Sequence, residues 1–218
     1  MPRKLLERNS SVPYHVTART NNREVFSAGL ESTWETLSAE ALIVSILYQA
    51  EFHALVLRPN HFHAIMTVPH HDLGRVMNTL MSSTTRILNT KTGRSGHVYG
   101  GPYHWSIIDS ARYFGHALKY VYRNPVKAGL CLNAEDWKFS SLYGIVGNGH
   151  LPSPIHLTGP CMELGLPLES ATELLGWLNR PFPKEAETLI QSGLRKRRFE
   201  SVVNRNSRRM RPELEVLL

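Results

Sequence analysis

The sequence predicts an α+β fold, an antiparallel sheet carrying helices on one face, and three observations predict it. Short β-prone runs alternate with long stretches of helical periodicity. The runs come in the order β-α-β-β-α-β-α. The middle two strands, "EFHALVL" and "HFHAIMTV", are separated only by "RPN", a turn that forces them into a hairpin. Two βαβ halves in tandem make the split arrangement of ferredoxin-like folds.

Each element has its own justification. "PYHVTAR", at about residues 13–19, is a first strand closed by the polar cluster "NNRE". From Glu31 to Gln49, Trp34, Leu37, Ala41, Val44 and Tyr48 recur at three- and four-residue steps, which puts them on one face of a helix. In the hairpin turn, Pro59 presets the backbone and Asn60 is expected to take up unusual dihedrals. A second helix is expected from about Asp72 to Asn89, burying Leu73, Val76, Met77, Leu80, Thr84, Ile87 and Leu88. "YHWSIID" is a fourth strand, after which Ser110 caps a third helix that the Asn124-Pro125 step should stop at about Arg123.

Past Gly129 the signals weaken. "GNGHLPSPIHLTGP" has the composition of a loop or linker, and "SATELLGWLNR" and "PKEAETLIQSGLRKRRFESVVNR" have the pattern of two further helices, the second ending in dense Arg and Lys. The expected organisation is one domain over residues 1–148 and a C-terminal helical extension over 149–218.

A formal charge of +7 over 218 residues favours polyanionic partners, because Lys and Arg replace counterions along a phosphate backbone. "MPRKLLERNS" lacks an apolar signal core and "ALIVSILY" is too short to cross a bilayer, so a soluble, cytoplasmic protein is expected. Cys131 and Cys161 sit outside any CxxC or Cys-His pattern and read as free thiols.

Two segments carry candidate chemistry. Along a strand His61, His63, Ile65 and Thr67 share one side, and Phe62, Ala64, Met66 and Val68 share the other, which is apolar. The histidines therefore project together, near enough to bind one ion, although an isolated H-x-H is more often two strand histidines satisfied by hydrogen bonds. His53 falls across the hairpin on the same side and reads as a structural or surface histidine outside the ligand set.

In "YFGHALKYVYRNPVKAGL", Tyr120 and Asn124 are four apart and share a face with His116, a possible helper one turn earlier. Tyr120 is a candidate nucleophile towards a phosphodiester, but its phenol has an unperturbed pKa of about 10 and needs a cation or basic group beside it. The plainer reading is a core aromatic, with Asn124 as a helix cap. Tyr113 and Tyr122 are weaker candidates, one nearly two turns back and the other pointing away.

Taken jointly, these residues resemble the single-tyrosine HUH transposases, and among them the relatives associated with repetitive extragenic palindromes. "YHVTARTNNREVF" is similar to the family's first strand, "RPNHFHAIMTVP" to its hairpin, and "YVYRNPVKAGL" to its tyrosine helix, in the expected order over roughly residues 12–145, with "DWKFSS" near the end. The resemblance implies a nuclease that cleaves single-stranded or hairpin DNA, with His61, His63 and Asn124 as metal ligands, Tyr120 as nucleophile, and a 5'-phosphotyrosine product that permits rejoining. It also implies Mg or Mn, with which two imidazoles and an amide oxygen are compatible.

There are departures from the family pattern. Arg58 stands where the family hairpin usually has Met, a change on the turn expected to touch DNA and not chemistry, and "GRSGHVYGGPYHW" is only loosely similar. Arg19, Arg23, Arg58 and Arg86 are candidate phosphate contacts, and Trp105 a candidate stacking surface for an unpaired base. Arg195, Lys196, Arg197 and Arg198 would either clamp a hairpin stem or belong to a solubilising tail. The expected assembly is a monomer or homodimer. The competing readings are a non-catalytic nucleic-acid-binding module on the same fold, and a metal-assisted hydrolase that uses water in place of Tyr120.

Overall fold

The computed structural model describes residues 9, 11–150, 154–157 and 170–199. Its elements are β1 (Tyr14–Arg19), α1 (Gly29–Tyr48), β2 (Glu51–Arg58), β3 (His61–Thr67), α2 (Leu73–Thr92), β4 (His104–Ile107), α3 (Ala111–Lys127), α4 (Ser141–Ile145), α5 (Ala171–Asn179) and α6 (Lys184–Gly193). Single 3-10 turns lie at Asn21–Arg23 and Ala134–Asp136. The four strands form one antiparallel sheet in the order β2-β3-β1-β4, the ferredoxin-like order expected from the sequence.

Register decides which side chains meet, because residues directly opposite across antiparallel strands share a face. Arg58, His61 and Arg19 are opposite one another, as are Val56, His63 and Thr17. The alternate set, Leu57 with Phe62 and Ala18, and Leu55 with Ala64 and Val16, forms the apolar face and is fully buried. α1 and α2 pack against that face and against each other, with the Tyr48 and Thr79 hydroxyls 2.9 Å apart. α3 covers the opposite face, where the ring of Phe114 meets His53 edge-on at 5.5 Å. The sheet is thus the middle of three layers, and the histidine side is an interior one.

Three local expectations are corrected. α3 does not stop at Asn124-Pro125 but runs to Lys127. Proline near the end of a helix removes only one ladder bond, and the actual stop is Gly129, whose φ of +69° is left-handed and whose N–H returns to Val126 O at 2.9 Å. Asn60 is not among the residues of positive φ, which outside glycine are Asn22, Arg23 and Gln49 in the described residues. Finally, the basic helix ends at Gly193, and the chain then pairs with the edge of β4, Ile107 donating to Arg197 O at 2.8 Å and Phe199 to Ile107 O at 2.7 Å. Phe199 is buried against Tyr113, which fixes this segment in an extended path where a helix could not reach the strand. Positions beyond 199 in the expected helix, and Cys161, lie outside the described residues.

Ser110 caps α3 as expected, accepting from the Tyr113 N–H at 3.2 Å. Ser110→Ala is expected to cost about 1 kcal/mol of stability, read as a lower urea midpoint at unchanged slope. Among the described residues, no helix is long and apolar enough to cross a membrane.

Candidate active site

The hairpin holds His61 and His63 with their ring centroids 4.9 Å apart and their planes nearly perpendicular. Both are buried, at 9% and 6% exposure. His61 Nδ1 donates to Asn60 Oδ1 at 2.7 Å. Asn60 is itself fixed, because its amide nitrogen donates to Arg23 O at 2.9 Å and its carbonyl accepts from the Thr20 N–H at 2.9 Å. This is what the turn asparagine does in place of adopting positive φ: it sets one tautomer of His61 and leaves the Nε2 lone pair free.

His63 Nδ1 lies 3.0 Å from Nε2 of His15, and the two rings stack at 5.2 Å. Burial holds His63 well below the ordinary imidazole range, helped by the proximity of His15, His61, Arg58 and Arg19. Burial, then Arg58 and Arg19, bring His61 down to about 4. Burial and His104 bring His15 to about 3. All three are neutral at pH 7, the state in which an imidazole can ligate a metal.

These depressed values have a consequence for stability. Between the folded and unfolded pKa the unfolded chain binds more protons, so stability is complete above about 6.5 and falls as the pH drops below it. His15, His61 and His116, the last brought to about 4 by burial, Arg112 and Lys119, each contribute in this sense. Lowering the pH from 7 to 6 is expected to cost about 0.7 kcal/mol per histidine, about 2 kcal/mol for the three, measurable by urea titration at the two pH values.

α3 supplies the other half of the site. The ring of Tyr120 meets His63 edge-on at 6.1 Å, and Tyr120 and Asn124 are 7% and 6% exposed. Burial raises the Tyr120 phenol above its ordinary range, with Arg195, the Asn124 amide and Arg58 acting against it and Glu187 with it. The phenol is therefore fully protonated at neutral pH.

Arg58 reaches across from the end of β2, and its Nη1 donates both to the side-chain oxygen of Asn124 and, at 3.0 Å, to the main-chain oxygen. A turn residue expected to face DNA thus lies inside the site, half-buried, with its Nε–H lacking a partner. The reason is the register: Arg58 opposes His61 and so must point to the histidine side.

The remaining candidates divide by layer. Arg19 is exposed and opposes His61, and Arg23 is exposed beside Asn60, so both flank the site. Arg86 is exposed on α2, the layer across the sheet, and is not brought to the histidines. Trp105 opposes Val16 and meets Tyr14 edge-on at 6.3 Å, which places it on the apolar face, away from His61 and His63. Both placements follow from the two-residue alternation of the strands and from the layer α2 occupies.

His116 is 1% exposed and packs against Phe182 of the extension at 6.4 Å, with neither ring nitrogen hydrogen-bonded, so it is not brought to the histidine pair. Arg195, Lys196, Arg197 and Arg198 are all exposed, and Arg198 pairs with Asp109 at 3.4 Å. Of these only Arg195 influences Tyr120. His53 is satisfied at both nitrogens, by His156 O and by Thr67 Oγ1. Among the described residues no group of three His, Cys, Asp or Glu could hold a metal, so a third donor from those residues would be of another type.

Sequence reasoning missed His15. The signal was present in "YHVTAR", where His15, Thr17 and Arg19 alternate onto one face, but using it required knowing that β1 lies beside β3.

Comparison with known proteins supplies the class. Residues 8–124, more than half of the chain, match the family model described as transposase IS200-like, and the chain belongs to that family. A REP-associated tyrosine transposase of Escherichia coli (strain K12) is 29% identical over 104 residues, covering 47% of this chain and 60% of the relative. The chain thus spans less than two thirds of that relative's length. The fold is similar to a solved structure of a REP-associated tyrosine transposase bound to a REP hairpin, with a TM-score of 0.59 and 21% identity, over 73% of this chain and 94% of the other.

Proposed function

We propose that the chain is a metal-dependent single-stranded DNA endonuclease and strand transferase that acts through a 5'-phosphotyrosine on hairpin-forming repeat DNA. The observation that carries this reading is the placement of Tyr120 edge-on to His63, on the side of the sheet that also holds His61 and Asn124. The relatives, one of them solved with a hairpin, support DNA of that form as the substrate.

The donor set fits a divalent cation such as Mg or Mn. His61 and His63 are neutral, and each has Nδ1 committed to a neighbour, which leaves Nε2 as the nitrogen that would ligate. Asn124 would complete the set with its amide oxygen, whose second lone pair remains when Arg58 occupies the first. Such a cation, when bound, withdraws charge from the scissile phosphate. Everything else falls to the chain's own groups. Tyr120 Oη forms the new bond to phosphorus as the bond from phosphorus to the 3'-oxygen breaks; the phenol gives its proton to water, the leaving 3'-oxygen takes one up to become a hydroxyl, and the 5'-phosphate stays on the tyrosine. The retained 3'-hydroxyl can attack the phosphotyrosine in reverse, which rejoins strands. Arg19 and Arg58 lie beside the site with charges suited to flanking phosphates.

Incubating the chain with Mn²⁺ and palindrome-flanking single-stranded oligonucleotides is expected to give a protein–DNA adduct that survives denaturant; DNA bound without any adduct would overturn the reading. That outcome is the second reading, a non-catalytic binder, and one observation favours it: Arg58 sits on the amide oxygen that the cation needs.

A further inference from the structure

We infer that His15 is a positioning residue that accepts the Nδ1 proton of His63 when a cation is bound and so leaves the Nε2 lone pair to ligate it; this rests on the reading of His63 as a metal ligand. The two rings are buried at 3% and 6% exposure, stacked with an interplanar angle of 22°, and joined by the 3.0 Å contact between His15 Nε2 and His63 Nδ1. Two ring nitrogens at that separation are hydrogen-bonded, so a single proton lies on the line between them.

That proton has two possible homes. If His15 carries it, His63 accepts at Nδ1 and must bear its own proton on Nε2, which cannot then ligate. If His63 carries it, Nδ1 donates to His15 and Nε2 presents a lone pair. In either arrangement His15 Nδ1 is buried without a partner, so that orphan atom does not by itself choose between the two. The choice falls to whatever sits at His63 Nε2.

A cation there selects the second arrangement, in which His15 acts as acceptor, the role commonly filled by a carboxylate or main-chain oxygen behind a ligating histidine. In that state His15 Nδ1 carries a hydrogen and needs an acceptor. Ser106, directly across the β1–β4 ladder on the same face, has a buried hydroxyl with no partner. Opposed residues have Cβ atoms about 5 Å apart, so a rotation of Ser106 would bring its oxygen into play. The relay would run from the cation site through His63 and His15 to Ser106.

The test is Mn²⁺ affinity of the whole chain without DNA, by calorimetry, alongside ¹⁵N shifts of the His63 ring in the metal-free and Mg²⁺-bound protein. His15→Phe keeps the ring volume and removes the acceptor; it is expected to weaken Mn²⁺ about 10- to 100-fold. His15→Gln returns an amide oxygen and is expected to recover most of the loss. In the wild type, Mg²⁺ should move His63 to the Nδ1–H form.

Unchanged Mn²⁺ affinity in His15→Phe overturns the inference, as does a His63 ring that keeps its proton on Nε2 with Mg²⁺ bound; the ring shifts decide the matter even if His15→Phe does not fold. His63→Ala separates the two levels of the argument. If it too binds Mn²⁺ as the wild type does, the ligand reading itself fails, and if it alone loses the metal, only the role of His15 is withdrawn.

Discussion

Replacing Tyr120 by Phe is expected to abolish the denaturant-resistant DNA adduct, by at least about a thousand-fold, while single-stranded DNA is bound within about twofold of the wild type. The substitution keeps the ring, and therefore its edge-on packing at 6.1 Å against His63, so the site does not collapse. What it removes is the one oxygen in the cluster able to take up a phosphoryl group. A base alone would not rescue the reaction, because phenylalanine has no group to deprotonate. The same variant separates three readings. A phosphotyrosine enzyme loses its adduct and keeps its affinity, whereas a pure binder never had an adduct to lose. A hydrolase that activates water would continue to cut without one. Gel shift and denaturing electrophoresis on the same oligonucleotide give all three outcomes.

The raised pKa of Tyr120 sharpens this expectation. Burial keeps the phenol protonated through the neutral range, so Tyr120 could act as the proposed nucleophile only once something draws its proton off. The groups acting against burial, Arg195, Asn124 and Arg58, come from the segment after α6, from α3 and from β2. Arg195 in particular is delivered by the stretch that lies along β4, anchored by the buried Phe199. The basic residues that close the sequence thus divide by function of place: Arg195 acts on the tyrosine, while Arg198 is held by Asp109.

How far this could be read from the sequence depended on the range of the interaction. The β-α-β-β-α-β order, the hairpin and the pairing of His61 with His63 are local, set by alternation and a turn of two residues, and the sheet confirms each. Tyr120 and Asn124 were legible as one helix face. What was not legible needed knowledge of which strand lies beside which. The face of Trp105 is not set by its own segment, because an aromatic on a strand can point either way, and only the β1–β4 register sends it to the apolar side. The charge of Arg86 suits a phosphate wherever it lies, and only the packing of α2 in the far layer separates it from the histidines. His15 stayed unseen because its value lies in a neighbour 48 positions away. The end of α3 was misjudged for a different reason. The bias of a pre-proline residue against helix is modest, and the two hydrogen bonds that Arg58 donates to Asn124 help hold that residue helical.

Arg58→Met is expected to raise Mn²⁺ affinity by at least tenfold while weakening single-stranded DNA binding. In the metal-free site the guanidinium occupies a lone pair of Asn124 Oδ1, so a cation arriving at the same oxygen meets a fixed positive charge at close range. Even screened as in bulk water, a divalent ion about 4 Å from a unit charge is repelled by about 2 kcal/mol, which corresponds to about thirty-fold in affinity. Methionine leaves that oxygen open and carries no charge. The opposing term is the loss of a cation beside the scissile phosphate, felt only when DNA is present and therefore visible in DNA affinity and its salt dependence, not in the metal titration. If Arg58→Met binds Mn²⁺ no better than the wild type, then either Asn124 is not a ligand or the arginine already swings clear when the ion enters. Asn124→Ala in the Met background decides which: it weakens Mn²⁺ binding if Asn124 binds the ion, and changes nothing if it does not.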